Sequence, residues 1–149
     1  MARYDGGAYG KIVLEGDIHT ANMKAAGLDD RDQAKTFIYA FLYGSGPTNL
    51  GSLLKPLAVE EAQRRIGQKM MNSFLKKTPA LKRLREDVKK SIEKRGKGGG
   101  DKYLIGVDGR KLHIRAMHAA LNTLFQSAGA VAMKLATIFL HDSLIQEGF

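Results

Sequence analysis

Four residues whose side chains suit phosphate and nucleotide binding occur at a constant interval of four: Arg31, Lys35, Tyr39 and Tyr43. An α-helix turns about 100° per residue, so this interval predicts one slanted stripe on a helix surface. The stripe runs from two cations, which pair with phosphate oxygens, to two phenol rings with polar tips. This order suits an anion attached to a sugar and a flat base. Spacing alone also permits an amphipathic helix with two cations on its polar face and tyrosines in the core.

The helix that carries the stripe is predicted over about residues 30–43. Asp29 and Asp30 are candidate N-caps, and Gly44 is a candidate stop. The apolar residues of the segment lie mostly off the stripe, and they predict the side that packs: Ala34, Phe37, Ile38, Phe41 and Leu42.

Length and composition favour a single domain with a core of its own. The chain has 149 residues, of which 44% are hydrophobic. It has no cysteine, which excludes disulfides and thiolate metal sites. We expect no secretory signal, and no apolar run that reaches the length of a membrane span.

The charge of the chain is concentrated in one segment, residues 64–97. The whole chain carries +9, whereas this segment carries +10 and the remainder −1. Such a local excess indicates a polyanionic partner, although a solvated helical face is the common alternative. Its thirteen basic residues are Arg64, Arg65, Lys69, Lys76, Lys77, Lys82, Arg83, Arg85, Lys89, Lys90, Lys94, Arg95 and Lys97.

Patterning predicts a mainly α fold with a small β-hairpin. Residues 1–19 look irregular or extended because of their glycines. Asp108–Gly109 within residues 102–116 is a strong hairpin signal. Thr78 is a candidate N-cap, with Pro79 in the first helical position. The other predicted elements are helices over about 20–26, 58–77, 79–95 and 117–146, a brief helix within 44–56, and a flexible tip over 96–101.

Four stretches together resemble the family A, or polymerase I-like, DNA polymerases. "RDQAKTFIYAFLYG" over 31–44 matches the family pattern Arg-x3-Lys-x3-(Phe/Tyr)-x3-Tyr-Gly. "GDIHT" at 16–20, "DGRKLHIR" at 108–115 and "HAALNTLFQSAGA" at 118–130 follow in the family's order, and the chain looks most like replicative polymerases of short-tailed phages. The resemblance implies a palm-edge segment over 1–28, fingers helices over 29–101, and a palm hairpin with a long palm helix over 102–149.

The resemblance also implies roles for the residues near the stripe. The counterparts of His19, Arg31 and Lys35 hold the triphosphate of the incoming dNTP, and Lys35 is the implied catalytic residue, which protonates the leaving pyrophosphate. Tyr39 corresponds to the residue beneath the sugar. Tyr43 corresponds to the ring that packs at the nascent base pair.

A second polar set, His118, Asn122 and Gln126, also recurs at four-residue steps. In the family this face lies along the minor groove of the primer-template DNA. Every Watson–Crick pair presents acceptors there, so donors at these positions test pairing without reading sequence. The alternative is a polar seam between packed helices.

The resemblance implies magnesium in the assembled enzyme, held by two aspartates that no motif of this chain supplies. His141 and Asp142 in "FLHDS" resemble the family's His-Asp-Glu turn, but Ser143 replaces the Glu, and we interpret both as surface residues. We therefore expect no metal ligands here and no synthesis by the chain alone.

The resemblance implies three kinds of partner: primer-template DNA, dNTPs, and flanking polypeptides with the remaining palm, thumb and exonuclease. It implies a cytoplasmic location in a phage-infected bacterium and no membrane. Two alternatives stay open: a stand-alone basic helical module that binds nucleic acid without catalysis, and a truncated polymerase remnant.

Overall fold

A computed structural model of the protein describes residues 2–96 and 102–148. Helices predominate, with one two-stranded antiparallel sheet, and the predicted fold class is confirmed. The elements are α1 (Ala2–Asp5), α2 (Ala8–Glu15), α3 (Ile18–Ala26), α4 (Arg31–Leu42), α5 (Pro47–Ser52), α6 (Glu60–Lys77), α7 (Pro79–Arg95), β1 (Tyr103–Ile105), β2 (Lys111–His113), a 3-10 turn (Met117–Ala119) and α8 (Ala120–Gln146). They divide into two compact units, Met1–Lys89 and Lys90–Phe149.

The amino-terminal prediction was wrong, because α1 and α2 occupy most of the segment expected to be irregular. Gly6 and Gly7 have φ angles of 61° and 91°, and this left-handed backbone separates the two helices. The carboxylate of Asp5 accepts hydrogen bonds from the backbone N–H groups of Gly7 and Tyr9 at 2.9 and 3.1 Å. The glycines therefore mark a break between helices rather than an absence of helix.

The other helices agree with the predicted segments to within three residues. Thr78 directly precedes α7, and its carbonyl oxygen accepts from the backbone N–H of Lys82 at 3.1 Å, so it occupies the predicted N-cap position. Its hydroxyl donates to the carbonyl oxygen of Phe74 at 2.6 Å and so also closes α6. Gly44 follows α4 with a φ of 87°, as expected of a helix stop. Most of the predicted flexible tip, residues 97–101, lies outside the described residues.

An aromatic cluster forms the core of the first unit behind α4. The ring of Phe74 from α6 meets Phe37 and Phe41 of α4 edge-on, at centroid distances of 5.6 and 5.3 Å. Phe37 is fully buried, and the guanidinium of Arg85 lies 5.4 Å from the Phe41 ring. These contacts fix the buried side of α4 and leave its opposite side to solvent.

Helices α5 and α6 meet backbone to backbone through a glycine on each. A Cβ atom at Gly67 would lie 1.8 Å from the carbonyl oxygen of Pro47, and one at Gly51 would lie 1.8 Å from that of Gln63. No side chain fits at these distances. The two glycines therefore set the short distance between α5 and α6.

The second unit contains the predicted hairpin, in which Tyr103 faces His113 and Ile105 faces Lys111. Gly109 has a φ of 81°, which the tight turn requires. Arg110 pairs with Asp108 at 2.9 Å and donates to the buried Ser127 of α8 at 3.5 Å. The hairpin turn is thereby attached to α8.

The long helix of the second unit contradicts one expectation from the sequence. The stretch Met117–Gln146 spans 30 residues, and an 18-residue window within it has a mean hydropathy of 1.4 and is 6% buried. By length and composition it is able to cross a membrane, so the expectation that no apolar run does so was wrong. One such helix is weak support for a membrane, because core helices of soluble proteins meet the same criteria.

Candidate nucleotide and nucleic-acid site

The four stripe residues lie on the outer side of α4 and its C-cap, opposite the aromatic core. Tyr39 and Tyr43 are 57% and 54% exposed. Arg31 is exposed and Lys35 is half-buried, whereas Ala34, Phe37 and Phe41 are buried. The alternative that the tyrosines fill the core therefore does not fit this structure, and all four groups are accessible to a ligand.

Arg31 is paired with a carboxylate from the neighbouring helix. Its Nε donates to Oδ2 of Asp17 at 3.3 Å, and its Nη2 donates to Oδ1 at 3.2 Å. Asp17 is also the N-cap of α3, where it accepts from the backbone N–H groups of His19 and Thr20 and from the Thr20 hydroxyl. Hydrogen bonds from Thr20 and then Arg31 hold the pKa of Asp17 well below its usual range.

Lys35 is paired within its own helix, since its Nζ lies 2.9 Å from Oδ1 of Asp32. The hydrogen bond and charge of Lys35 lower the pKa of Asp32. Asp30 is the N-cap, as predicted, and accepts from the Asp32 backbone N–H at 2.9 Å. Asp32 lies in the first turn of α4, and its side chain holds Lys35.

His19 lies in the first turn of α3, which Asp17 caps. Its ring is half-buried, and its positive form contributes to the lowered pKa of Asp32. The three residues expected to hold a triphosphate thus belong to one carboxylate-linked cluster at the starts of α3 and α4. A negative ligand suits this position because helix N-termini carry a partial positive charge.

A shallow basic groove of about 700 Å³ runs along α6 in the same unit. Its polar lining includes Arg64, Arg65, Lys69, Gln68 and Asn72. Arg64 pairs with Glu61 at 3.0 Å. Within the described ranges 2–96 and 102–148, neither Arg65 nor Lys69 forms an ion pair with a carboxylate, and the charge of Arg65 acts only at longer range on Glu61. Both are therefore available to a polyanion.

The second polar set lies in the other unit and is only partly helical as predicted. Asn122 and Gln126 are one turn apart on α8, whereas His118 belongs to the preceding 3-10 turn. Asn122 is half-buried, and the other two are exposed. Ser127, next to Gln126 in the sequence but buried, receives the hydrogen bond of Arg110, so the hairpin turn is attached to this turn of α8 on a different side from Gln126.

The acidic residues near α4 do not fit a two-magnesium site. Such a site needs carboxylate oxygens that converge on the metals. Asp17 is bonded to Thr20 and Arg31, Asp32 is bonded to Lys35, and Asp30 caps the helix. Among the residues that the structure describes, no three histidine or acidic side chains converge as a metal site.

The sequence matches known proteins over nearly its whole length. The model of "DNA polymerase family A" matches residues 14–149. The chain belongs to this family. The family's matched region includes both the α4 stripe and the whole of α8.

Curated relatives are named as DNA-directed DNA polymerases. The chain is 42% identical to those of Enterobacteria phage T3 and Escherichia phage T7 over 156 residues, which cover 99% of this chain and 21% of each relative. It is 47% identical to that of Escherichia phage Phieco32 over 140 residues, or 89% of this chain and 21% of the relative. The chain therefore spans about a fifth of the relatives' length.

The sequence alone did not reveal that Asp17 pairs with Arg31. It precedes α3 at a distance of 14 residues from Arg31, and nothing in that spacing predicts contact. The available signal was the capping pattern itself: an aspartate directly before a helix that starts beside another helix N-terminus. The position is one where a carboxylate and a basic side chain of the next helix can meet.

Proposed function

We propose that the chain is the fingers and neighbouring palm portion of a template-directed DNA polymerase, and that it binds an incoming dNTP together with primer-template DNA. The observation that carries the proposal is the α4 stripe. Its cations are accessible and held by carboxylates, its phenols are exposed, and its back is fixed by an aromatic core. A basic module that merely binds nucleic acid needs the cations of α6 and α7 but not this arrangement.

Each stripe residue has a defined part in this proposal. Arg31 binds the terminal phosphate through its fork of donors, and His19 binds the triphosphate beside it. Lys35 stabilises the charge that develops during transfer and donates a proton to the leaving pyrophosphate. Tyr39 supports the sugar, and Tyr43 packs at the new base pair.

DNA is bound in this proposal by two chemically different surfaces. The basic residues of α6 and α7 contact phosphates without reading sequence, which the unpaired Arg65 and Lys69 support. Asn122 and Gln126 of α8, with His118 before it, contact the minor groove near the primer terminus. Donors suit that position because purine N3 and pyrimidine O2 are acceptors in every correct pair.

The remaining parts of the polymerase are proposed to come from flanking polypeptides with the rest of the palm, the thumb and the exonuclease. The magnesium ions of the assembled enzyme bind ligands supplied there, because the acids beside α4 are already bonded to Arg31, Lys35 and helix ends. The exposed apolar surface of α8, including Phe139 at 71% exposure, packs against those polypeptides rather than lipid. The proposed setting is the cytoplasm of an infected bacterium.

A chimera tests the proposal directly. The aligned segment of the Escherichia phage T7 polymerase is replaced by this chain, and single-turnover incorporation is measured against dNTP concentration. Lys35→Ala lowers the maximal rate far more than the affinity for DNA. Arg31→Ala raises the half-saturating dNTP concentration by about tenfold or more, since it removes charge-assisted hydrogen bonds of about 1.5–3 kcal/mol.

Two outcomes would contradict the proposal. One is that both variants incorporate nucleotide with the parent's maximal rate and half-saturating dNTP concentration. The stripe would then be an exposed helix face with no part in nucleotide binding. The other is primer extension by the purified 149-residue chain alone that Lys35→Ala abolishes, which shows that the chain supplies its own metal ligands. Lys11→Ala is the matched control, because Lys11 is an exposed lysine of α2 paired with Glu15 away from α4.

A further inference from the structure

We propose that Asp17 is a positioning residue for nucleotide binding: it holds Arg31 by one edge of the guanidinium so that the other edge meets the terminal phosphate. This inference rests on the nucleotide-binding function proposed above. It adds a carboxylate to a site otherwise described by its cations, and it links the helix of His19 to the helix of Arg31.

The geometry of the pair leaves Arg31 able to bind a second anion. A guanidinium has five N–H donors in one plane. Asp17 takes Nε–H and one Nη2–H, each by a different carboxylate oxygen, at 3.3 and 3.2 Å. Both Nη1 donors and the second Nη2 donor remain available, and one from each of these nitrogens forms the edge at the far end of the guanidinium. Asp17 and a phosphate can therefore be bound at the same time, so the carboxylate need not leave.

The carboxylate is itself fixed in place by groups that do not depend on Arg31. Oδ1 accepts from the backbone N–H of His19 at 3.0 Å, and Oδ2 accepts from the hydroxyl of Thr20 at 2.6 Å. Asp17 thus has a fixed position at the start of α3, and the arginine is oriented against it. A long side chain that is held before binding loses less rotamer freedom when the ligand arrives.

Removal of this carboxylate has two effects on nucleotide binding, and they have opposite signs. The direction of the measured change therefore decides whether the proposal is correct. A negative charge near the site repels a triphosphate, so its loss alone tightens binding. Loss of a positioning contact weakens binding. The side chains of Arg31 and Asp17 are 49% and 46% exposed. For an ion pair of that exposure, we expect the Kd for the nucleotide to change by about three- to fivefold.

The experiment is a titration of the full 149-residue chain with dTTP, measured by isothermal calorimetry. Asp17→Asn keeps a good helix cap but removes the charged partner of Arg31. Asp30→Asn is the matched control: Asp30 caps α4, and its only described side-chain contact is the Asp32 backbone N–H. We expect Asp17→Asn to raise the dTTP Kd about three- to fivefold, and Asp30→Asn to leave it unchanged or lower it.

A second comparison separates positioning from a general structural role. In an Arg31→Ala background, Asp17→Asn no longer weakens binding if Asp17 acts through Arg31, and the lost repulsion leaves Kd unchanged or lowers it, whereas a structural defect still raises Kd. Tighter binding by Asp17→Asn in the parent background, or an equal loss in both backgrounds, overturns the inference while the proposed function stands, provided Arg31→Ala itself weakens binding. An absence of saturable dTTP binding by the parent chain, or no effect of Arg31→Ala, overturns both.

Discussion

The stripe helix α4 and the long helix α8 both carry polar residues at four-residue steps, but the chain supports them differently. On α4, Arg31 and Lys35 each have a carboxylate partner, and Phe37 on the other side is fully buried. On α8, a window of 18 residues is only 6% buried, and Phe139 is 71% exposed. The chain itself therefore orders the proposed nucleotide site, whereas most of α8 is exposed among the residues that the structure describes.

The largest expected difference concerns two glycines, one on α6 in the unit that contains α4 and one on α8. Gly67→Ala places a Cβ where the carbonyl oxygen of Pro47 lies, and we expect a loss of at least about 3 kcal/mol in the free energy of unfolding. Gly129→Ala on α8 meets no atom within 4 Å and should gain about 1 kcal/mol from helix propensity. Urea denaturation followed by circular dichroism measures both. Equal effects of the two substitutions would contradict the difference in packing.

A salt titration of DNA affinity separates the basic segment from α8. If three phosphates are contacted, the affinity for duplex DNA should fall about 40-fold between 50 and 200 mM salt, with little dependence on sequence. Lys69→Ala, in the groove of α6, should reduce the slope by about one. Lys134→Ala, an exposed lysine of α8, should leave it unchanged. A flat titration, or a strong preference for one duplex sequence, would count against phosphate binding by the basic segment.

In the proposed function, the tyrosine end of the stripe determines which sugars the site accepts. The hydroxyl of Tyr39 has no hydrogen-bond partner among the described residues and is free to bond near the 3′ edge of a nucleotide. In the T7 chimera, Tyr39→Phe should discriminate against dideoxynucleotides by about 10- to 100-fold, the value of one hydrogen bond to a charged group. Gln126→Ala on α8 should leave the ratio of dideoxynucleotide to deoxynucleotide incorporation unchanged. An unchanged ratio in Tyr39→Phe would remove this residue from the site.

The smallest expected effect is a change in acid stability. Because the folded-state pKa of Asp17 is lowered, its ionised form stabilises the fold fully above about pH 4, and this contribution is lost as the pH falls below that value toward the folded pKa. Asp17→Asn should therefore make the stability of the chain depend less on pH between about pH 5 and 2. Asp142→Asn, on exposed α8, is the control. Thermal unfolding at a series of pH values measures both, and parallel curves for Asp17→Asn and the parent would be the contrary result.

Local rules accounted for most of the fold. The apolar side of 31–42, the Asp30 cap, the Pro79 start and the Asp108–Gly109 turn all depend on neighbouring residues, so the sequence predicts them. The failures have physical causes as well. The glycines near residue 6 predict a loss of helix, although two helices meet there. The contact of Gly67 with Pro47 and the pair of Asp17 with Arg31 join distant segments, which no local pattern reveals.

The positions of the candidate site residues on α4 were predictable for the same reason, whereas their roles stay a prediction. Spacing alone placed Arg31, Lys35, Tyr39 and Tyr43 on one face, because a helix turns by a fixed angle. It did not give the carboxylate partners, since these depend on how α3 and α4 pack. His118 was placed on a helix face with Asn122, although it belongs to a 3-10 turn, whose angle per residue differs.

The central claim is that the α4 stripe is the nucleotide site and that this chain orders it without help. The most direct measurement is a titration of the 15N-labelled chain with dTTP, followed by two-dimensional NMR. We predict saturable shifts, with a single Kd, confined to the amides around His19, Arg31 and Lys35, with the α8 amides from 120 to 146 unchanged. Shifts spread along the basic helices α6 and α7, or no saturable shifts in α3 and α4, would contradict the claim.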